Sequence, residues 1–297
     1  MTPLNVAAGK GHFKVVELLL RRKHIKINQA CNEGYSPLYL AAINGHGKVV
    51  ELLLGKDGIE ENKAANLGFT PLFVAAQGGH HKVVDLLLRK AGVQVNLASV
   101  QGVTPLCISA YKGHEKVTEL LLGKGGIHVN QATSDGFTPL SIAADNGHIK
   151  VVEMLLEEAG IALNQIAVDG NTPLIMASQN GHFKVVEMLL EKAGIAVNQA
   201  SHLGDTALYK ACVNGHDKVV KLLLKKDDIQ VNQANWIGDT PLVVAADRRH
   251  GKIVEMFLRT REIRNIGWDG WRPHRRRAET PNLPSGRGEP RSVPYMS

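Results

Sequence analysis

The sequence has few aromatic residues, few cysteines and no long apolar run, and each shortage excludes a class of protein. Aromatic residues make up 5% of the 297 residues, which argues against one large aromatic core. The three cysteines, Cys31, Cys107 and Cys212, are an odd and sparse set. They predict buried thiols in a reducing compartment and argue against a disulfide framework. Charges interrupt every apolar stretch before it reaches about 18 residues, so we predict no transmembrane helix.

The start of the chain also lacks a targeting signal. Met1–Leu4 shows no charged segment followed by an apolar one, so no signal peptide is predicted. Together with the cysteine usage, this predicts an intracellular protein, either cytoplasmic or nuclear.

Catalytic signatures are missing as well. The segment beginning at His114 and Glu115 starts like a zinc-protease helix, but the position of the required second histidine is Thr118. No Gly-x-Ser-x-Gly nucleophile elbow occurs anywhere in the chain. We therefore predict a protein that is not an enzyme and that uses no cofactor.

The sequence does contain one unit that is repeated eight times. The triplet Thr-Pro-Leu, or a close variant, recurs every 34 residues, and a Gly-His pair follows at a constant phase. The triplets, which define repeats one to eight, start at Thr2, Ser36, Thr70, Thr104, Thr138, Thr172, Thr206 and Thr240. A fixed period of this length predicts a solenoid in which each repeat contacts only its neighbours.

The third repeat shows why each unit should form two short helices. Thr70 is a good N-cap and Pro71 fits the first helical position, so a helix is predicted to run to about Gln77. Glycines follow and end it. A second helix is predicted from about His80 to Lys90, apolar over most of its surface. Helices this short are marginal alone, so stacking must stabilise them.

The histidines follow the same period. Eight of the thirteen, from His12 to His250, are in phase. Equivalent residues of stacked helices lie about 8–10 Å apart, whereas each imidazole bound to Zn²⁺ lies about 2.0–2.1 Å from the metal. The pattern therefore predicts no metal site and favours histidines that hold the turn between the two helices by hydrogen bonds.

In these motifs the chain resembles the ankyrin repeat family. The resemblance covers residues 1–258 and implies an all-α solenoid of helix-turn-helix units joined by β-hairpin or loop connections. One departure concerns the fourth motif residue, which is histidine in the family. Here it is Asn5, Tyr39, Phe73, Cys107, Ser141, Ile175, Tyr209 and Val243. We therefore expect this position to make no hydrogen bond between repeats and the first helices to pack more through apolar contacts.

The last 39 residues differ from the repeats. Residues 259–297 contain nine arginines, no lysine and four acidic residues, which accounts for +5 of the net charge of +7. They also contain five of the twelve prolines. We therefore predict two regions, an ankyrin repeat array over 1–258 and a basic, Pro/Arg-rich tail over 259–297 that is mostly disordered.

The resemblance implies that hairpin tips and first helices meet the partner. From the second repeat onward, a glycine lies two residues before each Thr-Pro-Leu triplet, and we call it the turn glycine. The residue after the turn glycine is apolar or aromatic in one half of the array (Tyr35, Phe69, Val103, Phe137) and polar in the other (Asn171, Asp205, Asp239). Tyr111 and Trp236 are further candidate anchors. Two interpretations stay open: these side chains bind a partner, or they pack against the next hairpin.

A basic region suggests an alternative. It comprises Lys218, Lys221, Lys225, Lys226, Arg248, Arg249, Arg272, Arg275, Arg276 and Arg277. Such a region could attract nucleic acid, another polyanion or an acidic protein, or it could simply be solvated. The favoured hypothesis is a monomeric, non-enzymatic scaffold or adaptor for a protein partner. The alternative is an adaptor whose basic end binds nucleic acid or another polyanion.

Overall fold

The computed structural model describes residues 1–259, which form sixteen α-helices in eight consecutive pairs. The first helices of the pairs are α1 Pro3–Gly9, α3 Pro37–Ile43, α5 Pro71–Gln77, α7 Pro105–Lys112, α9 Pro139–Asp145, α11 Pro173–Gln179, α13 Ala207–Val213 and α15 Pro241–Asp247. The second helices are α2 Phe13–Leu20, α4 Gly47–Leu54, α6 His81–Arg89, α8 Glu115–Leu122, α10 Ile149–Glu157, α12 Phe183–Leu190, α14 Asp217–Leu223 and α16 Gly251–Arg259. A 3₁₀ turn covers Asn66–Gly68. The all-α solenoid predicted from the sequence is confirmed.

Each first helix begins at the predicted cap. In all eight repeats the hydroxyl of the motif Thr or Ser accepts a hydrogen bond from the backbone N–H three residues later, at 3.1–3.4 Å. Such a cap contributes about 1 kcal/mol. Proline occupies the first helical position in seven repeats, and Ala207 occupies it in repeat seven. The predicted bounds of α5 are those observed, and α6 lies within one residue of its prediction.

The helices pack in two layers along the solenoid. First helices contact the first helices of adjacent repeats, second helices contact second helices, and the two helices of each pair contact one another. In α5, Leu72, Phe73 and Val74 are buried, whereas α6 buries one face that includes Val83 and Leu87. The core therefore runs between the layers and continues through the array.

The in-phase histidines make structural hydrogen bonds, as predicted, but these bonds reach the preceding repeat. In repeats two to eight the ring Nε2 hydrogen-bonds to a backbone carbonyl oxygen 37 residues earlier, at 2.9–3.3 Å. His46, for example, pairs with the carbonyl of Gly9 at the end of α1. In repeats two to seven the histidine side chain forms no cap hydrogen bond at the helix it precedes. The histidines thus connect neighbouring repeats.

A second set of hydrogen bonds uses the asparagine that precedes each hairpin. Its side-chain Nδ2 donates to a carbonyl 30 residues later, and its Oδ1 accepts from an N–H 32 residues later. Asn62, for example, contacts the Gly92 carbonyl at 2.7 Å and the Gln94 N–H at 2.9 Å. Asn28, Asn96, Asn130, Asn164 and Asn198 do the same.

The expectation for the fourth motif residue is wrong in two repeats. The Asn5 side chain donates to the carbonyls of Gln29 (3.1 Å) and Tyr35 (3.0 Å) in the following hairpin. The Cys107 thiol contacts the Gln131 carbonyl at 3.6 Å with the same 24-residue separation. Any polar side chain of suitable length can make this contact, because the position faces the carbonyls of the next hairpin.

The remaining sequence predictions concern the cysteines, membrane spans and the tail. Cys107 and Cys212 are buried free thiols, as predicted, whereas Cys31 is only half-buried. Burial raises the pKa of the Cys107 thiol. No helix within residues 1–259 is long and apolar enough to cross a membrane. The predicted disorder of residues 260–297, including the arginine cluster, concerns a part of the chain outside the described residues.

Candidate protein-binding surface

A hydrogen-bonded turn precedes each of repeats two to eight, and the position of a residue in this turn determines whether its side chain is exposed. In the hairpin before repeat four, the Gly102 N–H donates to the Ser99 carbonyl, and the Ser99 N–H donates to the Val103 carbonyl, each at 2.9 Å. Gly102 has a φ of +75°, which glycine adopts without a Cβ penalty. Val100, two residues before this glycine, is exposed, whereas Val103, after it, is buried.

Backbone hydrogen bonds join successive hairpins. In the hairpins before repeats four to eight, the donor is the backbone N–H of the residue two positions before the turn glycine. The acceptor is the carbonyl of the residue just before the turn glycine of the preceding hairpin. The pairs are Val100 with Leu67, Ser134 with Gln101, Val168 with Asp135, His202 with Asp169, and Trp236 with Leu203, at 2.8–3.1 Å. The hairpin tips consequently form one row along the solenoid, from repeat three to repeat eight.

Three residues of the predicted binding stripe have substantial contacts inside the molecule. The Tyr35 ring stacks on Tyr39 with 4.8 Å between centroids, and Phe69 stacks on Phe73 at 4.7 Å. Both outer rings are half-buried and contact the core. Burial, and secondarily the Tyr35 phenol, raises the pKa of Tyr39 to about 12. Val103 is only 7% exposed.

The other three predicted residues differ in exposure. Phe137 and Tyr111 are half-buried against the core, and the Lys112 ammonium lies 5.2 Å from the centroid of the Tyr111 ring. Trp236 is 77% exposed. Among the six candidates, Trp236 therefore presents the largest fraction of its side chain to solvent.

The structure adds exposed apolar residues that the sequence analysis did not single out. They occupy the two positions before the turn glycine, and with Trp236 they form what we call the tip row: Leu67, Val100, Val168, Leu203, Trp236 and Ile237. The signal was present in the sequence, because apolar residues at a turn tip have no local structural reason to be there.

The polar half of the stripe is also partly internal. Asp205 is nearly buried and forms an ion pair with Lys210 of α13 at 3.0 Å. The Asn235 side chain donates to the same carboxylate at 3.1 Å. Burial raises the pKa of the neighbouring Tyr209 to about 12, with further contributions from Asp205 and Asp239.

The basic residues of repeat seven lie on and just after α14. This helix belongs to the layer of second helices, which we call the outer helix layer. Three of their side chains are exposed: Lys218 and Lys221 in α14, and Lys225 just after it. The Lys218 and Lys184 ammonium groups lie 5.1 and 5.3 Å from the centroid of the Phe183 ring, within cation–π range. A polyanion site here stays a prediction.

Comparison with known proteins agrees with this architecture. The family model for ankyrin repeats (three copies) matches residues 1–65, 55–133, 126–201 and 193–266. No curated protein matches the chain. The matched segments include all eight helix pairs, so the chain belongs to the ankyrin repeat family.

Proposed function

We propose that this protein is a non-enzymatic adaptor that binds a protein partner along its hairpin tips and first helices. Ankyrin repeats are generally protein–protein interaction modules, and the finer assignment is argued from the surface of this chain. The observation that carries it is the tip row, in which Leu203, Trp236 and Ile237 are 60%, 77% and 73% exposed.

The position of these residues supports binding over packing. An apolar side chain at a turn tip gains nothing from the core, and adjacent exposed apolar groups typically mark an interaction surface. The backbone hydrogen bonds between successive hairpins align these residues, since the Trp236 N–H donates to the Leu203 carbonyl at 3.1 Å. Aromatic residues are frequent anchors in interface centres.

The half-buried aromatic residues take a second part in this proposal. Tyr35, Phe69 and Phe137 each directly follow a turn glycine and are half-buried against the core, and Tyr35 and Phe69 also stack on a ring of the following first helix. A part of each side chain therefore stays accessible. A partner that covers the tips would also cover these accessible parts. Val103 is buried and has little surface left for a partner.

The experiment begins by locating the partner on the surface. A photo-crosslinking amino acid is placed at Ile237, and at Leu18 of α2 on the outer helix layer as the control, since Leu18 is 60% exposed. A partner crosslinked at Ile237 and not at Leu18 is then purified for calorimetric titration. Equal crosslinking at both positions would contradict a tip-specific surface.

The purified partner is titrated against matched variants. Leu203→Ser with Ile237→Ser should weaken binding roughly tenfold or more, because an anchor of about 2 kcal/mol exceeds the 1.4 kcal/mol that equals one decade. Leu18→Ser is the control and should leave binding unchanged. Thermal melts of all variants should coincide with that of the unmodified protein, since exposed tips lie outside the core. Binding that is unaffected by the tip variant would overturn the proposal.

The aromatic residues are tested separately. Phe69→Ala with Phe137→Ala should also weaken binding, and its melt is compared with that of the core variant Leu87→Ala. If the phenylalanine pair lowers the melting temperature as strongly as Leu87→Ala does, these rings serve packing between repeats and leave the binding surface to the tip row.

A further inference from the structure

The hairpins of repeats five to eight carry negative charge without positive residues of their own. Residues 131–138, 165–172, 199–206 and 233–240 contain Asp135, Asp169, Asp205 and Asp239, and no Lys or Arg. Lys210 neutralises Asp205. Within residues 1–259 no ion pair joins the other three aspartates to a base. These four hairpins therefore present three uncompensated carboxylates.

Repeat five contributes a further carboxylate, at the end of its first helix. Asp145 is the last residue of α9, and the Asn180 side chain donates to its carboxylate at 2.8 Å and to its carbonyl at 2.9 Å. Burial raises the pKa of Asp145, and the charge of Asp169 acts in the same direction. Asp145 therefore adds negative charge near Asp169, and a cation bound there would favour the ionised form of Asp145.

Repeats seven and eight supply the apolar part of the surface. Leu203, Trp236 and Ile237, which we call the tip platform, are exposed side by side. A Cβ built on Gly204 would come within 2.9 Å of Trp236 Cδ1, so the indole lies over that glycine. The platform therefore offers a broad apolar area next to the acidic hairpins.

The second helices, in contrast, carry basic and acidic residues side by side: Lys116, Lys150 and Lys184 form ion pairs with Glu119, Glu153 and Glu187 at 2.7–3.0 Å. One lysine recurs at the same phase in all eight second-helix segments: Lys14, Lys48, Lys82, Lys116, Lys150, Lys184, Lys218 and Lys252. Complementary potentials orient a charged partner as it approaches, and like charges disfavour the wrong face. Because the charges of the second helices are balanced and the four hairpins are acidic, a basic partner is attracted more strongly to the hairpins.

We propose that the hairpin tips of repeats five to eight bind a basic, extended polypeptide segment that carries one bulky apolar residue. Its Lys or Arg side chains pair with Asp135 and Asp169, and the apolar residue covers the tip platform. This inference rests on the proposed function, since it assigns a partner chemistry to the same tips.

The repeat spacing also sets the spacing of the partner's residues. Adjacent helices lie about 8–10 Å apart, so the two-repeat step from acids to platform is roughly 20 Å. An extended chain rises about 3.3 Å per residue, and about six residues therefore separate the basic and apolar positions.

The test uses fluorescently labelled synthetic peptides and the full chain. The first probe has three arginines and a tryptophan separated by about six Gly/Ser residues, and its twin has three glutamates in place of the arginines. We expect the arginine probe to bind at low salt, to weaken as salt rises, and to bind more tightly than the glutamate twin. Failure of the arginine probe to bind at low salt would overturn the inference.

Matched variants place the probe on the surface. Asp135→Asn with Asp169→Asn should weaken the arginine probe roughly tenfold, because two complementary charges are lost. The control is Glu119→Gln with Glu153→Gln, which removes two carboxylates from the outer helix layer and should have little effect. Equal weakening by both pairs would show that net charge alone drives binding and would contradict the assignment.

The two proposals fail in distinguishable ways. If the glutamate twin binds as well as the arginine probe, and Leu203→Ser with Ile237→Ser still weakens both, the basic partner is wrong while binding at the tips stands. If neither the aspartate pair nor the tip pair affects a probe that binds, the tips are not its site and the basic partner is wrong. The proposed function is contradicted only if the tip pair also leaves the binding of the crosslinked partner unchanged.

Discussion

The interior repeats and the eighth repeat have similar sequences but differ in burial. Leu156 in repeat five is 5% exposed, whereas Leu258, at the same phase of repeat eight, is 41% exposed. Leu140 is buried in α9 and its equivalent Leu242 is only half-buried in α15. The turn after the first helix contains Gly147 in repeat five, and the equivalent residue in repeat eight is Arg249. Both residues have a positive φ.

This difference shows that burial comes from the neighbouring repeats. Both repeats have the same Thr-Pro start and hydroxyl cap, so their local preferences are alike. Within residues 1–259, α15 and α16 contact the helices of repeat seven on one side only, whereas α9 and α10 have neighbours on both sides. In such an array, stability is a sum of unit and interface contributions.

The largest expected effect is on hydrogen exchange. Because each repeat is stabilised by its neighbours, repeats three to six should exchange most slowly, through openings close to global unfolding, while the end repeats open locally. Exchange of the helix amides, followed by mass spectrometry of peptides from each repeat, measures this directly. Uniform protection across all eight repeats would show that the array unfolds as one unit and would break the comparison.

A matched leucine pair tests the same difference by mutation. Leu156→Ala removes a nearly fully buried side chain and should lower the free energy of unfolding by about 2–5 kcal/mol. Leu258→Ala should cost less than about 1 kcal/mol, since that side chain already contacts water. Urea denaturation of both variants gives the two values. Similar losses would mean that Leu258 is as well packed as Leu156 in solution.

Sequence reasoning predicted the features whose causes are local. The bounds of α5 follow from the Thr70 cap, Pro71 and the glycines after Gln77, which are all within one short segment. It predicted hydrogen-bonding histidines but not their acceptors, because His46 bonds to a carbonyl 37 residues away and no local pattern specifies that contact. Long-range contacts were therefore beyond its reach.

The same reasoning explains what was seen and missed at the hairpin tips. Trp236 was selected from the sequence and is exposed, whereas Val103 was selected at another turn position and is buried. Which turn residue faces solvent depends on the bonds between hairpins, such as Val100 N–H to the Leu67 carbonyl. Those bonds appear only once neighbouring repeats are stacked.

Two buried serines should show how strongly the interior depends on complete hydrogen bonding. The Ser109 hydroxyl donates to the Leu106 carbonyl at 3.0 Å and accepts from the Thr118 hydroxyl at 3.1 Å. The Ser178 hydroxyl is buried without a hydrogen-bond partner. Ser109→Ala should lower the free energy of unfolding by about 1–3 kcal/mol, and Ser178→Ala should raise it by up to about 1 kcal/mol.

Chemical denaturation of the two serine variants provides the measurement. Each is the control for the other, because both changes remove one hydroxyl from a fully buried position in a first helix. Losses of equal size would mean that the Ser178 hydroxyl has a partner in solution, and the predicted difference in sign would then be wrong.

The smallest expected effect concerns the turn of the eighth repeat. Arg249 has a φ of +60°, where a side chain costs roughly 1 kcal/mol and where the equivalent position of repeats one to seven is glycine. Arg249→Gly should therefore raise the free energy of unfolding of this repeat by about 0.5–1 kcal/mol and slow hydrogen exchange in α15 and α16. The control is Arg248→Gly, which removes the same charge at a φ of −79° and should destabilise by a similar amount. Within residues 1–259 neither arginine has an ion pair that the change would break. The two variants consequently differ in backbone conformation alone, and melting temperatures that move in the same direction would show that strain at Arg249 does not limit the stability of the eighth repeat.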